Sequence, residues 1–391
     1  MTPSTNSTRR ATRTGPFPRA LGCAESTPGY PGKRPRPPLR VDDPGALIAA
    51  LPALLGFVPE RSLVIAVLHD IAGGAADAIE AVVRFDLDVA TDTRLFDQFI
   101  ACLTSICLRE ESTGVLAVLV EDRAEFDGEE VLRAIDLIEV LADEGIEVRG
   151  AWSVPAIAAG ERYCSVFDTF ATGLVADPSS SIVAVTHVLE GKQIRGSRHE
   201  MTAVMIPDDL LRARVRTQLA AADARYRAGL AAAIRAGNLV AYQRRALEWV
   251  LWQIADTASG SPRAERELAR LAATLRDRPI RDAMYGLALG DHAEAAELLW
   301  AQLARATPGS DRAEAAALLG FSAYLRGDGP FAGVAIAAAV EADAEHAMAV
   351  LLETSLQTGL RPERLRRLAH CGHQIAADLG VDIGPIAGCD K

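Results

Sequence analysis

Seven residues stand where side chains could do chemistry: Glu60, Arg61 and Ser62 in one loop, Arg84 and Asp86 in a strand, and Glu121 and Asp122 just past another strand. An arginine can hold a carboxylate or phosphate through two parallel N–H···O bonds. Neighbouring carboxylates can hold Mg²⁺ through oxygen. The chemistry these types offer is capture of a small anionic ligand, with Mg²⁺ the one cofactor they could hold; no other cofactor is expected. Other chemistries lack their residues. Gly73 and Gly74 sit in a hairpin loop and open no helix, so a dinucleotide site is not expected. His370, Cys371 and His373 with the distant Cys389 have too short a gap for a closed zinc site, and no metal centre is expected. The six cysteines show no disulfide-framework spacing, which favours a reducing cytoplasm.

The elements that must position the seven begin at residue 45. The stretch GALIAALPALLGFVPERSLVIAVLHD reads as a short apolar helix, a tight loop and a buried strand. Asp42, Asp43 and Pro44 suit an N-cap and first turn, and Gly56 suits a stop. Residues 63–68 show no polar alternation, so both faces of that strand should be covered. Residues 79–87 read as a second strand, joined to the first by a short loop and therefore antiparallel to it. That hairpin brings Arg84 and Asp86 beside Glu60, Arg61 and Ser62. A helix over 92–110, a strand over 115–120, a helix over 128–143 and a strand over 146–152 follow. Strand–helix–strand order implies parallel strands with right-handed crossovers. Their carboxyl ends, with Asp86, Glu121, Asp122 and residues 152–153, should share one edge, and open α/β sheets bind ligands beyond such ends. The expected fold is therefore an α/β domain with a mixed, largely parallel sheet carrying one antiparallel hairpin.

Three regions are expected. Residues 1–40 carry eight Lys/Arg and one acid, are rich in Pro and Arg, and lack an apolar signal region; they read as a disordered basic tail. The remainder holds 33 basic and 51 acidic residues, which argues against a nucleic-acid groove on the folded part. No apolar run is long enough to span a membrane, and no membrane partner is expected. The α/β domain covers 41–207. From 208 to 391 the chain is helical and Ala-rich, and Gly290, Gly327 and Gly359 punctuate helix pairs 37 and 32 residues apart. Tetratricopeptide-like units repeat at about 34 residues, and stacked helical hairpins make protein-binding surfaces.

Several motifs together resemble one family. They are residues 54–59 (LLGFVP) with Ser62-Leu63-Val64, and residues 83–87 (VRFDL). Val148-Arg149 with Gly160-Glu161-Arg162-Tyr163 and Ser197-Arg198 follow, then residues 325–329 (LRGDG) and 358–362 (TGLRP). The chain resembles the actinobacterial family catalogued as domain of unknown function 4192, over about residues 42–370. It departs in the middle: Tyr163-Cys164 and residues 174–178 stand where a Trp-Trp pair and a Cys-Cys-Pro-Pro stretch belong. The resemblance implies no established activity. The expected function is that of a cytoplasmic, non-enzymatic adaptor or regulator that binds another protein, or itself, through the helical half. The alternative is a small-molecule enzyme or ligand sensor using the polar sheet edge.

Overall fold

The structure is a computed structural model and describes residues 43–70, 77–87, 93–121, 138–168, 171–189, 194–257, 260 and 263–386. The basic tail, Cys23, Asp122, Cys389 and the first part of the helix expected over 128–143 lie outside these residues; 138–143 are helical.

Helix α1 (Pro44–Leu55) starts where a cap and a proline put it. The Asp43 carboxylate accepts the Gly45 N–H at 3.0 Å, Pro44 has no N–H to satisfy, and Gly56 ends the helix at φ 75°. Ten of its twelve residues are buried, as an apolar circumference requires.

The sheet comprises β1 (Ser62–Asp70), β2 (Asp77–Asp86), β3 (Gly114–Val120), β4 (Val148–Val154), β5 (Arg162–Ser165) and β6 (Thr172–Leu174), and α2 (Thr93–Arg109) joins β2 to β3. Among the described residues the strand order is β2-β1-β3-β4-β5-β6. The expected hairpin is present, with Ser62 opposite Asp86 and Val64 opposite Arg84. The sheet is mixed but not largely parallel: of five neighbouring pairs, β3–β4 is parallel and the other four are antiparallel. Two causes account for the difference. β1 inserts between β2 and β3 and runs against both, and the middle segment adds the antiparallel pair β5–β6 to the far side. β2, β3 and β4 still share one direction, so Asp86, Val120 and Val154 end on one edge with Ser62 between the first two.

Strand alternation divides the core. Leu63, Ile65, Val83, Phe85 and Leu119 face α2, whose Phe99, Leu103 and Ile106 are buried against them. Val64, Ala66, Val82, Val118 and Val120 face α1 and the helical half. After β6 come α3 (Ile182–Leu189) and α4 (Arg198–Ala203). The latter is capped by Ser197, whose hydroxyl accepts the Glu200 N–H at 3.1 Å.

The helical half runs α5 (Asp209–Arg235), α6 (Leu239–Thr257), α7 (Glu265–Leu275), α8 (Arg278–Met284), a 3₁₀ turn (Tyr285–Leu289), α9 (Ala293–Ala306), α10 (Gly309–Leu325), α11 (Gly329–Ala342), α12 (Ala347–Gln357) and α13 (Pro362–Asp378). Its core is continuous with that of α1 and the sheet face above it. α13 packs back on α8 and the 3₁₀ turn, where a Cβ on Gly372 would meet the Gly286 backbone nitrogen at 2.5 Å, so that crossing requires glycine. Among the described residues no helix is long and apolar enough to cross a membrane.

Candidate functional site

The loop between α1 and β1 is anchored from below. Phe57 is fully buried and bridges to Arg195: Val58 N–H donates to the Arg195 carbonyl at 3.0 Å, and Arg195 N–H to the Gly56 carbonyl at 2.8 Å. Arg61 takes the left-handed region at φ 44°, uncommon for a residue with a Cβ, and its carbonyl accepts the Leu87 N–H at 2.9 Å. The chain thereby turns sharply into β1 and latches onto the end of β2.

Three of the seven expected residues meet there, with the backbone of a fourth. The Ser62 hydroxyl donates to the Glu60 carbonyl at 2.5 Å and accepts from Arg84 Nε at 2.7 Å. Arg84 Nη2 lies 3.4 Å from Asp86 Oδ2, and the guanidinium sits 5.6 Å from the centre of the Phe57 ring. Ser62 is 0 % and Arg84 4 % exposed. The hydroxyl proton and one lone pair of Ser62 are therefore engaged inside the protein. A buried charge must be paired and hydrogen-bonded, and Arg84 meets that demand in part, through Nε and Nη2, with groups of its own sheet. The cluster braces the loop.

Glu60 is exposed. Glu121 is at the same edge, its N–H donating to the Val154 carbonyl at 3.1 Å. It follows Val120, which ends β3 on the α1 face. Asp122 is outside the described residues. A cavity of about 650 Å³ opens elsewhere, on the outer side of α2, lined by Ala101, Thr104, Ser105, Leu108, Arg109 and Glu144. Among the described residues no three His, Cys, Asp or Glu side chains are grouped to hold a metal ion.

A second polar cluster joins the two halves, and its members were not expected from sequence. Glu110, just past α2, is buried between Arg109 Nε at 2.8 Å and Arg361, which also reaches Glu80 at 3.0 Å. Burial works to raise the Glu110 carboxyl pKa; the hydrogen bonds and charges of Arg361 and Arg109 outweigh it and hold the group below its ordinary value. Around Arg361, three backbone carbonyls are taken by other elements. The Cys102 thiol donates to Gln357 at 3.0 Å, the Tyr324 hydroxyl to Leu360 at 2.6 Å, and Arg109 to Thr358. Gly359 has φ 61°, and a Cβ there would lie 2.6 Å from Arg109 Nη2. The 358–362 motif is thus the turn that ties the helical half to α2. The 325–329 motif has a related role. Asp328 caps α11 by accepting the Phe331 N–H at 3.1 Å, Arg326 binds Asp328 at 3.0 Å and also Glu297, and Arg195 stacks 4.7 Å from the centre of the Phe331 ring. The signal in the sequence was the pair of motifs; it carried no information on their partners.

One histidine meets a carboxylate. His346 Nε2 lies 3.1 Å from Glu314 Oε2, and Nδ1 accepts the Ala349 N–H at 3.2 Å as the cap of α12. Both ring nitrogens are thus engaged within the protein. His346→Ala should cost about 1–2 kcal/mol through loss of the cap and the Glu314 bond. His346→Asn should restore part of it, since asparagine caps well; chemical denaturation of the three proteins measures this.

The fold and the motif clusters define a class: an α/β layer braced onto a helical half by charged turns. The family model described as domain of unknown function (DUF4192) matches residues 44–363, and the chain belongs to that family. No curated protein matches the chain, and no solved structure matches it.

Proposed function

We propose that this is a non-enzymatic adaptor or regulatory protein, cytoplasmic and actinobacterial, that binds another protein or a second copy of itself through its helical half. The observation that carries the reading is Trp252 on α6, 73 % exposed. Tryptophans exposed in this way are the residues on which protein interfaces anchor. Trp249, one turn earlier, packs under Arg270 with the guanidinium 3.8 Å from the ring centre, so the pair is divided between packing and exposure. The closure of Ser62, Arg84 and Asp86 on one another supports the same reading.

The tetratricopeptide-like character belongs to this proposal. Gly327 and Gly359 both leave their helices in left-handed turns, at φ 80° and 61°. Gly290 has φ −111°, and α13 folds back on α8, so the repeat reading extends over α10 to α12.

Affinity capture with wild-type and Trp252→Glu proteins as bait tests the proposal. The substitution is on the surface and should change stability by no more than about 0.5 kcal/mol. A partner held by the wild type and lost by the variant supports the reading; identical capture overturns it. A melting temperature raised by Mg²⁺ or a nucleotide would replace it with ligand sensing, since a ligand bound by the native state stabilises that state.

A further inference from the structure

The chain carries a net charge of −11, yet residues 224–247 hold five arginines and no acid. They form the end of the α5–α6 helical hairpin. The two helices meet through Tyr226 and Tyr242, ring centres 5.5 Å apart, and reverse at Gly237, φ 68°. Of these 24 residues, Ala233, Gln243 and Leu247 are buried, and Tyr226 and Gln243 are held to Asp277; around the turn, residues 234–238, 240 and 241 are exposed. Arg225, Arg227, Arg235, Arg244 and Arg245 are all exposed. Arg227 and Arg244 pair with acids of their own helices, Asp223 at 3.0 Å and Glu248 at 2.9 Å, both just outside this stretch. Beside the turn, one on each helix, stand Ile234 and Val240, 58 % and 55 % exposed.

An aliphatic apex with an arginine collar behind it has the order of groups that a lipid surface presents in reverse. Apolar side chains enter the boundary between headgroups and acyl chains, and cations remain at the level of the anionic headgroups. An exposed hairpin turn suits a flat surface better than a protein groove, which would need a matching concavity. Asp277 also touches this stretch, accepting from the Tyr226 hydroxyl at 2.8 Å and from Gln243 at 3.1 Å, so the five arginines face three acids in contact with it, Asp223, Glu248 and Asp277. We propose that the α5–α6 hairpin end is a peripheral docking site for an anionic lipid bilayer. It departs from the expectation of no membrane partner, which concerned spanning segments, and it is independent of the Trp252 surface.

The test is co-sedimentation of the full-length protein with vesicles of phosphatidylglycerol and phosphatidylcholine in equal parts, and with phosphatidylcholine alone. Binding is expected to the mixed vesicles at 0.15 M salt, and to weaken at 1 M salt. Each basic residue near an anionic surface contributes about fivefold, so Arg225→Glu/Arg235→Glu/Arg245→Glu should reduce binding at least about tenfold. Ile234→Asp/Val240→Asp should reduce it as well. All five positions are exposed, so unchanged far-UV circular dichroism and melting temperature are expected. The basic residues 1–40 are the competing source of lipid affinity. Binding that survives both hairpin variants would assign it to them and overturn the proposal. No binding to the mixed vesicles, or equal binding to phosphatidylcholine alone, would also overturn it.

Discussion

Phe57→Ala is expected to destabilise the protein by about 3–5 kcal/mol, the usual cost of truncating a buried aromatic. Phe57 is fully buried, although it belongs to a loop. Its ring fills the space under the turn and lies 5.6 Å from the Arg84 guanidinium, and its backbone bridges to Arg195. Truncation leaves a cavity between α1 and the sheet edge and removes the apolar support of a buried charge. Urea denaturation should show the midpoint falling with an unchanged slope, the mark of lost stability without a change in the surface exposed. Phe57→Leu refills most of the volume and should cost about 1–1.5 kcal/mol; it also gives a reading if the alanine variant does not fold. A cost below about 0.5 kcal/mol for Phe57→Ala would show that the loop is not anchored by this ring.

What could be read in the sequence was what local chemistry determines. Asp43, Pro44 and Gly56 fix the ends of α1 to within a residue because capping acts over a single turn. The apolar run of β1 and the short connection to β2 determined the hairpin, and the hairpin brought Arg84 and Asp86 to Ser62. The order of strands was not legible. Whether β3 joins β2 or the far side of β1 depends on which non-local edge buries more surface, and the spacing of β3 from β2 is the same in both cases. β6 was hidden for a different reason: three residues give too little alternation to register as a period. The candidate site was half legible. The residues at the sheet edge could be placed there, but a polar edge reads the same whether its groups satisfy one another or await a ligand. The junction around Glu110 was not legible at all, since Arg361 is 251 residues away in the chain.

That junction supports the second large effect. Arg361→Ala should destabilise the protein by about 1–3 kcal/mol, because it leaves a buried carboxylate with one of its two cationic partners gone. Glu110→Gln should cost a similar amount by weakening charge-assisted bonds to both arginines. The two act on one network, so the double variant should cost less than the sum, with a coupling of about 1–2 kcal/mol. A coupling near zero would mean that the contact contributes nothing to stability. The pH dependence supplies an independent check with a fixed sign. The Glu110 carboxyl is held below its ordinary value in the folded state, so the stability it adds is fully present above the unfolded carboxyl pKa of about 4.3 and is lost as pH falls through the lower folded value. The advantage of wild type over Glu110→Gln should therefore be constant from about pH 8 to pH 5 and shrink below about pH 4. An advantage that grew on acidification would require a Glu110 pKa raised by burial, and the two arginines would then not be holding the carboxylate between the halves of the protein.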